Sequence, residues 1–243
     1  MCVVVSHIAH ELAYMLAGRI SNFNSKLFPG DFGVDLFFVI SGFIMAYTCW
    51  ESFGTNKAAS RFMMRRFIRV VPLYWVATTL IIAVVLVFPE RVNTATSDWQ
   101  QWLSSYFFIP YARDSDALIR PVLGLGWSLQ YEMFFYLLFA AGLMFARRIG
   151  LLVIVGSLIA IWGIANLFGG DQSDAPTLLR FLSHSIALEF AIGVLLGYLY
   201  MKNFRLSKSV GLFALVVGVF LLMIVPNFNE AIDQNRLVHY GVP

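Results

Sequence analysis

Nearly uncharged runs of similar length recur along the chain, at Phe32–Trp50, Val70–Phe88, Trp127–Ala146, Ile149–Phe168, Phe181–Met201 and Val210–Pro226. Each approaches the roughly 20 residues that an α-helix needs to cross the hydrocarbon core of a bilayer. The pattern therefore predicts six full spans. Two shorter apolar stretches flank them: Cys2–Ala17, which has no polar leader and looks like a spanning helix short of its first turns, and Leu237–Pro243, which turns apolar and stops as an eighth span would begin. The expected architecture is an all-α, polytopic membrane helix bundle, truncated at both ends, with no repeat and no second domain within residues 1–243. Pro89–Gly126 is its one long external connection. Trp99, Trp102, Tyr106 and Phe107 in that loop predict a segment lying at the membrane interface.

Composition supports the bilayer as solvent. Hydrophobic residues make up 59% of the chain and charged residues 13%, far from the half apolar, quarter charged balance of soluble domains. The two cysteines, Cys2 and Cys49, form no CxxC spacing and no even-numbered framework. A net charge of +3 makes no case for nucleic acid as a partner. No basic leader with an A-x-A-like exit is present, so no cleavable signal peptide is expected. The chain has no Walker-type loop, GxSxG elbow or HExxH, which argues against nucleotide hydrolysis and the familiar protease designs.

The distribution of charge fixes an orientation. One set of loops carries Lys57, Arg61, Arg65, Arg66, Arg69, Arg147, Arg148, Lys202, Arg205 and Lys208; the alternate set carries Arg19, Lys26, Arg91, Arg113, Arg120, Arg180 and Arg236, spread over longer segments and mixed with aspartates. Basic residues accumulate on the cytoplasmic side, so the first set is expected there and the spans alternate strictly from it.

Ionisable groups inside spans are costly, by roughly 2.5–3.5 kcal/mol at the helix centre on insertion scales, and so are candidates for function. His7 falls near mid-membrane on the first segment. A neutral imidazole there can take a proton from a hydroxyl, or can simply be hydrogen-bonded between helices. His10 and Glu11 share its face, but further ligands at useful spacing are missing and no metal is expected. Asp35 and Glu132 lie a few residues inside the external ends of their helices, where they can orient the histidine or hold hydroxyl groups. For Asp35 the helix dipole explains an acid equally well; Glu132, five residues beyond Trp127, is too deep for that benefit. Ser41 stands deeper on the helix of Asp35, beside Gly42, and can serve a ligand or only its own backbone. In RFMMRRFIRVVPLYW, Arg65, Arg66 and Arg69 cluster on a helix at the cytoplasmic mouth. Their guanidinium forks suit phosphate, while topology anchoring or anionic lipid accounts for them equally. Pro72 is expected to kink or loosen the start of this helix. Two broad classes stand at this point, an enzyme and a transporter or export component, since buried charges serve both.

The segments GVDLFFVISGFIM, RRFIRVVPLYW and WSLQYEMFFY, in this order, resemble the acyltransferase family 3 membrane proteins, and LEFAIGVLLGYLY is similar to the exopolysaccharide-production branch. The resemblance covers most of the chain. It implies a bacterial inner-membrane enzyme that moves an acyl group, often acetyl, from acyl-coenzyme A as co-substrate to a hydroxyl of an exopolysaccharide, lipid-linked saccharide or other envelope glycan, with no bound cofactor. It also implies roles: His7 as catalytic base, Arg66 and Arg69, with Arg65 beside them, as donor-binding residues, and Glu132 as the acid of the WSLQYE element, supported by Asp35. Ser41, Trp127 and Ser128 are candidates for acceptor binding or support. Members of the family carry an arginine half a helix before that histidine and about ten spans; this chain begins after the first and has fewer of the second, which leaves an inactive fragment as a further alternative.

Overall fold

The computed structural model describes residues 30–87, 98–112, 118–172, 174–204, 207 and 209–212. His7, His10 and Glu11, with the predicted spans Cys2–Ala17 and Leu237–Pro243 and nearly all of Val210–Pro226, lie outside the described residues. The described chain forms helices α1 (Gly30–Thr48), α2 (Ala58–Val87), α3 (Trp99–Tyr106), α4 (Trp127–Leu143), α5 (Arg147–Leu167), α6 (Thr177–Leu182) and α7 (Ile186–Met201), with a 3-10 turn at Gly124–Gly126. Among the described residues no strand forms, and Ala112 and Ile119 make an isolated antiparallel bridge. An apolar chain in lipid must satisfy its backbone internally, and helices do so within each segment.

Among the described residues, three segments are long and apolar enough to cross a membrane: Ala58–Val87, Arg147–Leu167, and Thr177–Met201, which combines α6 and α7. Gly33–Thr48 is a shorter apolar helix. The described residues thus form an all-helical bundle with candidate membrane spans. Two of the sequence boundaries need correction. The span expected at Val70–Phe88 starts twelve residues earlier, because RFMMRRFIR continues the helix of α2 rather than preceding it. At about 1.5 Å per residue the 30 residues of α2 extend about 45 Å, longer than the roughly 30 Å hydrocarbon core. Pro72 does not interrupt α2, being an exposed position inside an unbroken helix.

The second correction concerns Phe181–Met201, which is divided at Ser183–Ser185. Side chains replace the lost helical bonds there. Ser183 Oγ donates to the carbonyls of Gly170 (2.8 Å) and Arg180 (2.9 Å), Asn166 Nδ2 donates to the Ser183 carbonyl (3.1 Å), and the Ile186 N–H donates to His184 Nδ1 (3.3 Å). Local bonds of this kind compete with the helix ladder and end it.

The bundle is organised by the close pairing of α1 with α7. Gly42 faces the backbone of Phe190 and Val194, Gly193 faces the carbonyl of Val39, and a Cβ on Gly197 would lie 2.8 Å from the Ala46 Cβ. Small residues let two backbones approach in lipid, where helix association depends on contact rather than water exclusion. On the other flank α4 packs against α2 and α5. The centre is aromatic: Phe135 stacks on Phe190 at 4.6 Å and meets Phe38 edge-on at 5.6 Å, while Tyr131 stacks on Phe181 at 4.0 Å.

Candidate active site

The C-terminal ends of α1, α4 and α7 and the N-terminal ends of α2 and α5 meet at one end of the bundle, as alternating helices require. The turn from Cys49 to Lys57 closes this end. Gly54 adopts φ +71°, a conformation glycine reaches without strain, and its N–H donates to the Leu143 carbonyl at 3.0 Å. The turn is thereby fastened to α4.

Beside it opens a cavity of about 310 Å³ lined by Arg61, Arg65, Arg66 and Arg69 of α2, by Thr48 at the end of α1 and by Cys49 of the turn. Four guanidinium groups at one opening make a strongly anion-selective surface. Arg66 is the half-buried member. Its guanidinium carbon lies 5.5 Å from the Phe62 ring centre and 5.3 Å from that of Tyr136, within cation–π range.

Behind Arg66 lies the acid. Glu132 on α4 is buried, only 8% exposed, and its Oε1 accepts a hydrogen bond from the Tyr136 hydroxyl one turn along the same helix. Arg66 and Arg69 both lie within electrostatic reach of Glu132 and Tyr136. Helices α2 and α4 therefore bring together Arg66, Arg69 and Glu132, all expected from sequence, with the likewise expected Arg65 at the cavity, and add Tyr136 and Arg61; Cys49 joins them from the turn after α1. Tyr136 is the last residue of WSLQYEMFFY, and its four-residue spacing from Glu132 was the available signal. The arginines are not confined to the mouth, because the extra turns of α2 carry the pair to the level of the carboxylate.

The remaining expected residues are placed elsewhere. Asp35 is half-buried on α1 and faces Glu189 of α7, with Ser185 beside it. Oε2 of Glu189 is buried without a hydrogen-bond partner among the described residues. The surroundings of this acidic pair thus differ from those of Glu132, which has cations near it. Trp127 meets Tyr131 edge-on at 6.2 Å at the head of α4, with half-buried Ser128 next to it. Ser41 is half-buried one turn from the cavity wall. None of Asp35, Ser41, Trp127 and Ser128 lines the arginine cavity. Among the described residues no group of His, Cys, Asp and Glu side chains could hold a metal ion.

At the far end, the described part of the long connection, residues 98–112 and 118–126, packs on the bundle. Helix α3 buries Gln101 and Ser105 and exposes Trp99 and Leu103, and Phe107 just after it is exposed too. Its polar face is tied to the bundle. The Tyr74 hydroxyl donates to the Ser105 carbonyl (3.1 Å), Trp75 Nε1 to the Tyr106 carbonyl (2.9 Å), and the Val122 N–H to Ser105 Oγ (2.9 Å).

The family model described as "Acyltransferase domain" matches residues 1–242. The chain belongs to this acyltransferase family. It is 36% identical over 199 residues to the exopolysaccharide production protein ExoZ of Rhizobium meliloti (strain 1021), covering 80% of this chain and 59% of that protein. It is 27% identical over 199 residues to the peptidoglycan O-acetyltransferase OatA of Listeria monocytogenes serovar 1/2a, covering 74% of this chain and 31% of the relative. Over 184 residues it is 24% identical to the acyltransferase MdmB of Streptomyces mycarofaciens, covering 69% and 46%. The chain thus spans less than two thirds of the length of each of these relatives. No solved structure matches it.

Proposed function

We propose that this protein acts as a membrane O-acyltransferase, taking an acyl group, acetyl by analogy with the O-acetyltransferase relative, from acyl-coenzyme A and delivering it to a hydroxyl of an exopolysaccharide or other envelope glycan. One observation carries the reading: two arginines that line an anion-selective cavity also share an electrostatic field with a buried carboxylate and its tyrosine. The cavity volume is at the lower end of small-molecule sites, suited to the phosphates of the donor with the rest of the nucleotide outside. Arg61, Arg65, Arg66 and Arg69 hold those phosphates as fixed charges. The basic end faces the cytoplasm, where the donor is made, and the membrane is the bacterial inner membrane. The inverted amphipathic helix α3 rests at the opposite interface.

In the reaction the acceptor oxygen attacks the thioester carbon. A C–O bond forms, the C–S bond breaks, and the hydroxyl proton passes through a base to the departing thiolate. His7 is the base in this scheme. Glu132, oriented by Tyr136, keeps the inner part of the track polar and balances the arginine charge, while Asp35, Ser41, Trp127 and Ser128 line the acceptor's side.

The decisive measurement is acyl-coenzyme A binding to the purified protein. Arg66→Ala with Arg69→Ala lowers the affinity at least roughly tenfold, since hydrogen bonds to charged groups contribute about 1.5–3 kcal/mol each. Unchanged affinity removes the donor role from the pair. Independently, His7→Ala abolishes glycan acylation at an unchanged membrane level, and retained acylation removes His7 from the chemistry.

A further inference from the structure

A second basic recess lies at the same end of the bundle, on the other side of the Cys49–Lys57 turn. It is an open cleft of about 480 Å³ between the start of α5 and the end of α7, lined by Ala146, Arg147, Arg148, Ile149, Tyr198 and Lys202. We infer that this cleft binds the phosphodiester headgroup of an anionic phospholipid.

The three cations are not equivalent. Arg147 is committed: its Nε donates to the Trp50 carbonyl (2.9 Å), its Nη2 to Glu51 Oε2 (3.1 Å), and its guanidinium carbon lies 4.4 Å from the Trp50 ring centre. It forms a fixed wall. Arg148 and Lys202 have no ion-pair partner among the described residues, so the cleft carries uncompensated positive charge. The backbone adds to it. Helix α5 starts at Arg147 with Ala146 as its N-cap, and no side chain caps the first-turn N–H groups. Free N–H groups at the positive end of a helix dipole favour an anion.

Position distinguishes a lipid from a soluble anion. The cleft stands where the apolar part of two neighbouring helices begins, and the adjoining turns present exposed Leu152 on α5 and Leu199 on α7. A phosphodiester in the cleft would place acyl chains along that surface. Basic pockets between spanning helices suit anionic headgroups for this reason, each Lys or Arg contributing about 1 kcal/mol near the surface. Continuity with the active end follows from the turn itself: Trp50 and Glu51 hold Arg147, while Cys49 and Ser52 line the arginine cavity.

The test is native mass spectrometry of the detergent-purified protein with added phosphatidylglycerol, and with phosphatidylcholine as the zwitterionic counterpart. Wild-type protein should retain phosphatidylglycerol in preference, and Arg148→Gln with Lys202→Gln should weaken retention roughly tenfold to thirtyfold, the loss of two such charges. The charge-keeping pair Arg148→Lys and Lys202→Arg should retain most of the binding, which separates charge from misfolding. Equal retention by a folded R148Q/K202Q protein would overturn the inference, as would equal retention of phosphatidylcholine. Displacement of the lipid by millimolar inorganic phosphate would overturn it too, by identifying the cleft as a site for free anions.

Discussion

The guanidinium carbon of Arg66 sits 5.3 Å from the centre of the Tyr136 ring, and the hydroxyl of that same ring donates to Glu132. One fully buried side chain thus contacts a cation from α2 and an acidic side chain on α4. Neither would be held as well alone. A ring face attracts the guanidinium without neutralising it, so Arg66 remains able to bind an incoming phosphate.

Tyr136→Phe isolates one half of this arrangement, since it keeps the ring and deletes the hydroxyl. A hydrogen bond to a charged group contributes about 1.5–3 kcal/mol, so transfer rates should fall about 10- to 100-fold if the bond orients Glu132 in the reaction. Donor affinity should change far less than turnover. Steady-state transfer from labelled acyl-coenzyme A checks this, and a rate equal to wild type would separate Glu132 orientation from catalysis.

Glycine substitutions should divide sharply by position. Gly193→Ala forces a Cβ onto the Val39 carbonyl, and Gly42→Ala does the same against Phe190. Overpacking costs about 1–3 kcal/mol, so each lowers the thermal midpoint in detergent. Gly156→Ala on α5 meets nothing within 4 Å and should leave it unchanged or slightly higher. Equal effects at all three positions would contradict the α1–α7 contact.

Arg147 contributes more through Trp50 than through Glu51. The carboxylate side chain is 83% exposed, and exposed ion pairs contribute about 0–1 kcal/mol. Glu51→Gln should therefore be nearly silent in thermal unfolding, whereas Arg147→Ala removes the bond to the Trp50 carbonyl and the ring contact and should cost measurably more. A reversed order would show that the ion pair dominates.

Asp98 gives a pH dependence of known sign. It caps α3, accepting from the Gln100 N–H at 2.9 Å, and also accepts from the Tyr111 hydroxyl. The Tyr111 bond, followed by the backbone bonds to α3, holds its carboxyl below the ordinary value of 3.8. A depressed carboxyl stabilises the fold fully above its unfolded value, and the contribution is lost as pH falls through the lower folded value. Protease protection of the connection around α3 should hold down to about pH 4 and decline below it, and Asp98→Asn should flatten that decline. Asp98→Ala should cost about 1 kcal/mol at neutral pH through loss of the cap. A pH profile identical in wild type and Asp98→Asn would refute the assignment.

The hydrophobic period alone located the helices, because lipid rewards long uncharged runs wherever they occur: Phe32–Trp50 and Ile149–Phe168 differ from α1 and α5 by two residues or fewer at each end. Glu132 was legible as a candidate because charge within such a run is costly, and Arg66 and Arg69 because clustered guanidinium groups suit phosphate. The start of α2 was not legible, since charged turns that continue a helix look like a loop in any measure of polarity. The break at Ser183–Ser185 was hidden too, as it depends on Asn166 and Gly170, more than ten residues away in sequence. Only tertiary structure could sort the acids. Asp35 and Glu132 look alike along the chain, yet helix packing sets one against Glu189 and the other beside Tyr136 and the arginines, because direction around a helix, and not depth along it, decides which neighbour a side chain meets.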